Sequence, residues 1–448
     1  MHIAIKHYEI MKFYNREKEL DFLKSIKECS ETEARMTIVV GRRRIGKTSL
    51  LKKAVEKEDS ALYLFVTRKS EVLICEEFKE EIERKLQVKL FGSFTRFKEL
   101  FLYLMDLSST RNFSLIIDEF QEFYLINPAV YSEMQNIWDS YKDRSKINLI
   151  ICGSIYSLMK KIFENSKEPL FGRATERIHL KPFPVETLKE ILADNYPTYK
   201  PEDLLAFYVF TGGVAKYVEL LISKKALTLE KMLDEIFHEN SLFIDEGRNV
   251  LIEEFGKDYA TYFSILSLIA SSKTSRSEIE SILEVSTGGY LERLENDYNL
   301  IRKVRPMFSK PSGRNIKYEI VDNFLNFWFR FIYKHQSAVE IGNFTYLRSI
   351  VEPDYPTYSG KILEHYFIEK LVNLQQYSAI GTWWEKGNQN EIDIVAVDDF
   401  NRTVLYAEVK RKKENISMPV LKEKATKLLQ SQLKDFTAEF IGFSMEDL

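Results

Sequence analysis

The chain has 448 residues, 45% of them hydrophobic, and a formal net charge of −3. That length suits two to four domains with packed cores, and the near-neutral charge excludes a general attraction to nucleic acid, so any such contact has to come from local patches. No apolar run approaches the ~20 residues of a membrane span. The opening MHIAIKHYEI lacks a signal-peptide apolar stretch and reads as a short arm or an upstream start. Three scattered cysteines, Cys29, Cys75 and Cys152, have no metal-ligand spacing and point to a reduced, cytoplasmic setting.

The first clear pattern, MTIVVGRRRIGKTSLLKKAV, reads strand, glycine loop, helix. Gly41 to Thr48 fits G-x-x-x-x-G-K-[ST] at every position. The strand Met36–Val40 fixes the loop, and its glycines let backbone N–H groups close on phosphates. The helix N-terminus after Gly46 adds partial positive charge. The expected nucleotide contacts are therefore Gly41, Arg42, Arg43, Arg44, Ile45, Gly46, Lys47, Thr48 and Ser49. Lys47 is expected on the β- and γ-phosphates and the Thr48 hydroxyl on Mg2+. The three arginines either attract phosphate beyond the reach of Lys47 or turn outward towards acids or a neighbouring domain.

A distant acidic strand end completes such a site. FSLIIDEFQEF supplies Asp118, to hold Mg2+ through water, and Glu119, to orient the attacking water. A third strand, INLIICGS (147–154), ends in Ser154, which either senses the γ-phosphate or simply closes the strand.

Together, Phe13-Tyr14-Asn15-Arg16-Glu17, the glycine loop and Asp118-Glu119-Phe120-Gln121 resemble prokaryotic and archaeal AAA+/STAND-type ATPases. PLFGRATERIHLKPF (169–183) and Thr211-Gly212-Gly213 resemble the same group. The resemblance implies an ATP- and Mg2+-dependent ATPase built on a P-loop parallel sheet. It implies Asn15 and Arg16 near the adenine, and Arg173 as an arginine finger acting in cis or, in a homo-oligomer, from a neighbour. The group usually has proline two residues after the paired glycines. Ala215 stands there, which puts the lid geometry in question.

Four stretches follow with apolar residues at helical spacing: VETLKEILADNY, PEDLLAFYVF, VAKYVELLIS and TLEKMLDEIFHEN. They suit a helical lid. ATYFSILSLIAS, SRSEIESIL and TGGYLERLENDY then read as three helices, with Ser286-Thr287 as N-caps. LIRKVRP and NIKYEIVD read as two strands, completing a winged helix-turn-helix. Its hairpin carries Arg302, Lys303, Arg305, Lys310, Arg314 and Lys317 without an acid over 301–317, which suits a phosphate backbone. The would-be recognition helix carries Glu292, Glu295 and Asp297 against Arg293, a poor charge for the major groove. Non-specific DNA contact and internal packing therefore both stay open. DNFLNFWFRFIYKH (322–335) reads as a buried aromatic connector.

The C-terminal part orders a helix (GKILEHYFIEKLVNL), three strands, a helix and a last strand. EIDIVAV carries Asp393 and VLYAEVKRK carries Glu408 and Lys410. Glu408 and Lys410 are two apart and face one side of the sheet, as do Glu391 and Asp393. Two carboxylates on adjacent strands suit Mg2+, with the Val409 carbonyl as a further ligand. Lys410 suits transition-state charge or water positioning. Trp383-Trp384 is core or a base-stacking surface, and Arg411, Lys412 and Lys413 extend a positive rim. The order and the Asp393/Glu408/Lys410 set resemble PD-(D/E)XK nucleases, and more closely the C-terminal domain attached to many prokaryotic and archaeal AAA-type ATPases. By that resemblance Glu364 is the helix acid of the metal site.

The expected fold class is α/β: a P-loop parallel sheet (1–183), a helical lid (184–245), a winged helix (246–335) and a restriction-endonuclease-like domain (336–448). The leading expectation is an ATP-hydrolysing protein acting on DNA with a metal-dependent nuclease-like domain. The alternative is a nucleotide-dependent switch whose last domain binds a partner or nucleic acid without cleaving. No membrane partner is expected.

Overall fold

The computed structural model describes residues 12–448 apart from 311, 314, 386 and 388. The opening MHIAIKHYEI and Arg314 of the basic hairpin lie outside the described residues. The described chain forms two compact units, one up to Pro182 and one from Phe183 to Leu448.

The first unit is built on a five-stranded parallel sheet. Its strands are β1 (Arg35–Val40), β2 (Leu62–Phe65), β3 (Phe113–Asp118), β4 (Ile147–Cys152) and β5 (Glu176–His179), in spatial order β2-β3-β4-β1-β5. Every residue of β3 and β4 is buried, as expected of central parallel strands covered on both faces. Parallel strands bring all carboxyl ends to one edge. The glycine loop after β1, Asp118-Glu119 after β3 and Ser154 after β4 therefore converge there, in the usual place for ligands of open α/β sheets.

The second unit begins with helices Val185–Asn195, Pro201–Thr211, Ala215–Ser223 and Leu229–Ile236, one in each of the four amphipathic stretches. Ala215 is the first residue of its helix. Proline is favoured at that position because the N–H it lacks has no intrahelical partner anyway, and alanine starts the same helix. Helix Leu242–Phe255 leads to helices Tyr259–Ala270, Arg276–Leu283 and Gly288–Asn296. An antiparallel hairpin of β6 (Ile301–Val304) and β7 (Lys317–Ile320) follows, in the expected order. The cap at Thr287 differs from the expectation. Thr287 occupies the N-cap position without a side-chain capping bond, because its hydroxyl turns back to Glu280 Oε1 at 3.4 Å.

The aromatic run is a helical connector with a π-turn at Trp328–Ile332, and Phe324, Phe327, Trp328, Phe329 and Phe331 are buried. Helix Phe344–Asn373 starts well before the stretch expected to be helical and contains Pro353 and Pro356. Strands β8 (Ala379–Trp383), β9 (Ile392–Asp398), β10 (Thr403–Val409) and β11 (Thr437–Phe443) form a mixed sheet in the order β11-β10-β9-β8. Val395, Val397, Val404 and Tyr406 pack with Leu421, Ala425 and Leu428 of helix Met418–Gln430. Strand alternation leaves Ile394, Ala396, Leu405 and Ala407 for the other face. Helix Phe344–Asn373 packs against β8, β9 and β10. Among the described residues no helix is long and apolar enough to cross a membrane.

Candidate functional site

The glycine loop takes its shape from two unusual backbone positions. Gly46 caps helix Lys47–Ala54 at φ +96°, a conformation that glycine adopts without steric cost, and Arg44 holds φ +70°. Arg42, Arg43 and Gly46 are half-buried, Arg44, Thr48 and Ser49 are exposed, and Gly41, Ile45 and Lys47 are buried. Lys47 Nζ donates to Gly41 O at 2.6 Å and Arg42 O at 3.0 Å, so the ammonium is already drawn into the mouth of the loop. Thr48 Oγ1 donates to Asp118 Oδ2 at 3.0 Å. A hydroxyl and a carboxylate oxygen at that distance form the kind of hard donor pair Mg2+ takes.

Asp118 is 1% exposed and is approached from three elements. Besides Thr48, the Tyr63 hydroxyl on β2 donates to its Oδ2 and the Glu119 N–H donates to its Oδ1 at 2.9 Å. Burial, then the Asp118 carboxylate, push the Tyr63 phenol far above its ordinary pKa, so it stays a donor. The Cys152 thiol, fully buried beside Asp118, is pushed well up by burial first and the Asp118 charge second. Glu119 holds the left-handed conformation at φ +54°. Its Oε2 accepts from Ser154 Oγ at 2.6 Å, Ser154 N at 3.3 Å and Gln121 Nε2 at 2.5 Å. Ser154 is thus bonded to the acid expected to orient water. A Cβ on Gly153 would meet Gln121 Oε1 at 2.2 Å, which keeps that position open for this network.

Asn15 adopts φ +42° just before helix Glu17–Cys29. Arg16 donates to Lys181 O at 2.8 Å and pairs with Glu19 at 3.2 Å, tying the segment before the first helix to the segment after β5. Arg173 lies at the opposite end of the sheet from the glycine loop. Thr175 is level with Met36 at the start of β1, and the loop follows Val40 at its far end, roughly 15 Å further on at ~3.3 Å per residue. Arg173 donates to Asp139 Oδ2 at 3.1 Å and Phe171 O at 2.8 Å. It therefore cannot reach phosphates held by the loop of its own chain.

In the second unit, β9 and β10 pair antiparallel with Ala407 opposite Ile394. The next pair along that register is Glu408 and Asp393. Each carboxylate has one oxygen held by a backbone N–H: Val409 N donates to Asp393 Oδ2 at 2.8 Å and Ser417 N to Glu408 Oε2 at 3.0 Å. Lys410 Nζ bridges them, 3.2 Å from Asp393 Oδ2 and 3.6 Å from Glu408 Oε1. Burial lowers the Lys410 pKa, but the Asp393 charge outweighs it and the net shift is upward. Glu364 accepts from Lys361 Nζ at 2.6 Å. Burial first, and the charges of Asp393 and Glu391 against that of Lys361, push Glu364 up to about 7. Among the described residues no group of three or more His, Cys, Asp or Glu side chains could hold a metal ion. Mg2+ commonly takes one or two carboxylates with waters and substrate phosphate, and the Asp393/Glu408 pair fits that smaller set.

The surroundings of this pair settle several open readings. Trp383 and Trp384 are 7% and 2% exposed, hence core, with Lys317 Nζ 4.2 Å from the Trp384 ring centre. Lys317 also pairs with Glu391 at 3.3 Å. Arg302 Nη2 pairs with Glu319 at 2.9 Å and lies 3.1 Å from His365 Nε2, and Lys303 pairs with Glu295. Three of the hairpin's cations are thus engaged by acids within the unit. Arg411, the neighbour of Lys410, donates to Ser359 Oγ at 2.6 Å and pairs with Glu202 of helix Pro201–Thr211.

Comparison with known proteins agrees with the nucleotide-site geometry. The family model of an ATPase domain predominantly from Archaea matches residues 13–221, and one of archaeal and bacterial proteins of unknown function matches 328–429. Protein MJECL04 of Methanocaldococcus jannaschii is 30% identical over 409 residues, covering 89% of this chain and 88% of its own. The chain belongs to this family of archaeal-type ATPases. The ATP-binding protein MJ0423 of the same organism is 45% identical over 51 residues, 11% of this chain and 83% of its own. The Walker-type ATPase PABY2304 of Pyrococcus abyssi shares the fold at TM-score 0.54 and 18% identity, over 71% of this chain and 96% of its own.

Several neighbours of the ATPase's candidate sites carried no signal in the sequence. Tyr63 and Cys152 meet Asp118 only through the strand order, whereas Gln121 meets Glu119 from two residues away within the Asp118-Glu119-Phe120-Gln121 run. Glu202 meets Arg411 across 209 positions. Lys361 was findable, since it lies one helical turn before Glu364.

Proposed function

We propose that this ATPase couples ATP hydrolysis to action on DNA through a metal-dependent phosphodiesterase site formed by Asp393, Glu408 and Lys410. The observation that carries the reading is the backbone-anchored carboxylate pair bridged by a lysine. Anchoring one oxygen of each acid fixes its direction before substrate arrives, the preorganisation that electrostatic catalysis needs. At this pair Mg2+ would supply Lewis-acid polarisation of the phosphate and an activated water. Lys410 would move from its carboxylate partners to the developing phosphorane charge, whereas Glu364, the helix acid expected in the metal set, stays outside it, since no group of three acids among the described residues could hold a metal ion.

In the nucleotide site Lys47 takes the β- and γ-phosphates, Thr48 and Asp118 hold Mg2+, and Glu119 positions water. Ser154 links that acid to the γ-phosphate, and Asn15 and Arg16 border the adenine. Arg173 serves a neighbouring chain's nucleotide, so the hydrolysing form is a homo-oligomer. The segment 184–245 acts as the lid and 246–335 as a winged helix. The Glu202–Arg411 pair lets lid movement reach the residue beside Lys410.

The test is plasmid cleavage with Mg2+ or Mn2+ by wild type and Asp393→Ala. Cutting by wild type that falls at least about 10²-fold in the variant is expected; equal cutting by both sinks the site. A pH signature accompanies it. Glu364, pushed up to about 7 by burial and in part by the Asp393 charge, should lose its proton more readily once a cation neutralises that charge, so Mn2+ affinity should rise with pH below ~7 and level off above. Calorimetry in two buffers of different ionisation enthalpy should find protons released on binding at pH 6, none at pH 8.5, and none at either pH for Glu364→Gln.

A second reading is a nucleotide-dependent switch whose last domain binds without cleaving. It is favoured by the internal pairing of Arg302, Lys303 and Lys317, which leaves less of the hairpin's charge for DNA.

A further inference from the structure

Helix Met418–Gln430 buries Leu421, Ala425 and Leu428, the i, i+4, i+7 stripe of an amphipathic helix. Lys424 falls on that stripe at i+3, where the pattern calls for an apolar residue. Its side chain is 24% exposed, against 69% for Lys427 on the same helix. The Lys424 Nζ lies 3.8 Å from Glu408 Oε1, the same oxygen that Lys410 Nζ approaches at 3.6 Å. The other Glu408 oxygen is held by Ser417 N–H at 3.0 Å. Two ammonium groups from different elements therefore flank one carboxylate oxygen. Lys410 lies nearer Asp393, at 3.2 Å, so the two ammoniums balance the two carboxylates, and a cation that neutralised those acids would free both lysines for an anion. A half-buried lysine on this stripe is not what packing against the core asks of the helix. An anionic ligand entering between Asp393 and Glu408 would meet both ammoniums at once.

Resting on the phosphodiesterase reading, we propose that Lys424 is a phosphate-binding residue of the C-terminal site. It grips, with Lys410, the DNA backbone phosphate presented to Asp393 and Glu408. Lys410 spans the two acids while Lys424 approaches from the helix, so the phosphate is held from two directions and its orientation is fixed. The positive end of the helix dipole behind Ser417 adds to the same field.

The test uses the full-length protein and a labelled duplex, with Ca2+ replacing Mg2+ for binding and Mn2+ for cleavage. Wild type is compared with Lys424→Gln, Lys424→Arg and the exposed control Lys427→Gln. In Lys424→Gln, DNA affinity should fall about tenfold, as for loss of a charged hydrogen bond. The slope of log affinity against log salt should shrink by about 1. Lys424→Arg should restore both, and Lys427→Gln should leave both near wild type. A lysine that only balances Glu408 would lower the melting temperature of Lys424→Gln and leave the salt slope unchanged, which overturns the proposal. If wild type does not cut but Lys424→Gln still loses affinity and slope, the nuclease reading falls and the phosphate site stands. If wild type binds no DNA, both fall.

Discussion

Lys47→Ala should lower ATP turnover by about 10²–10³-fold, the loss expected when one preorganised donor to developing phosphate charge is removed. The ammonium is buried against Gly41 O and Arg42 O at 2.6 and 3.0 Å, so it is held at the loop mouth before nucleotide arrives. Entry of ATP exchanges two carbonyl partners for phosphate oxygens with little movement. Alanine removes the charge and also leaves those carbonyls without this donor, at ~1–3 kcal/mol if they stay dry. The variant should therefore melt somewhat lower as well as hydrolyse slowly, and both are measured by phosphate release and calorimetry. Glu119→Gln separates the two effects. It should keep ATP binding and melting temperature while losing turnover, because the role proposed for Glu119 is on water and not on the phosphates. Turnover within threefold of wild type in Lys47→Ala would remove the glycine loop from the account.

Gly213→Ala should destabilise the second unit by about 2–4 kcal/mol, combining left-handed strain with overpacking. Gly213 holds φ +72°, and a Cβ there would meet Phe183 O at 2.2 Å and Phe183 N at 3.0 Å. Both contacts are backbone, so no side-chain rotation relieves them. Phe183 N also donates to Gly213 O at 2.7 Å, and the clash would break that bond. Gly213 thus clamps the first residue of the second unit onto the end of helix Pro201–Thr211. Gly212→Ala is the control: its Cβ has only ordinary contacts at 3.4 Å, so it should cost the αL strain alone, about 1–2 kcal/mol. Equal melting of the two variants would show that the Phe183 clamp does not matter.

What the sequence revealed divides along chain distance. The glycine loop and Asp118-Glu119 are local patterns, each fixed by one strand and its end, and the Asp393/Glu408/Lys410 spacing is fixed by two consecutive paired strands. Their partners are not local. Nothing in the sequence says that β2 lies beside β3, so Tyr63 could not be placed on Asp118. The hairpin's charges were visible in number and sign, but Glu295 and Glu391, which engage Lys303 and Lys317, belong to neighbouring elements, and Glu319 meets Arg302 only through the cross-strand register of β6 and β7. The start of helix Phe344–Asn373 carries little local signal, since Pro353 and Pro356 inside it disfavour helix by propensity. Which face of helix Met418–Gln430 is buried, and so which of its lysines turns inward, follows only from the packing of Leu421, Ala425 and Leu428. Whether Arg173 can approach the glycine loop of its own chain depends on which end of the sheet it occupies, and spacing along the chain carries no such information.

The central claim is that one chain joins an ATP site to a DNA-cleaving site. The direct measurement is Mn2+-dependent plasmid cleavage with and without ATP, by wild type, Lys47→Ala and Asp393→Ala. The account predicts cutting by wild type that ATP changes, cutting by Lys47→Ala that ATP does not change, and none by Asp393→Ala. Intact ATP hydrolysis with no cutting by wild type under any condition would contradict it and leave the nucleotide-dependent switch.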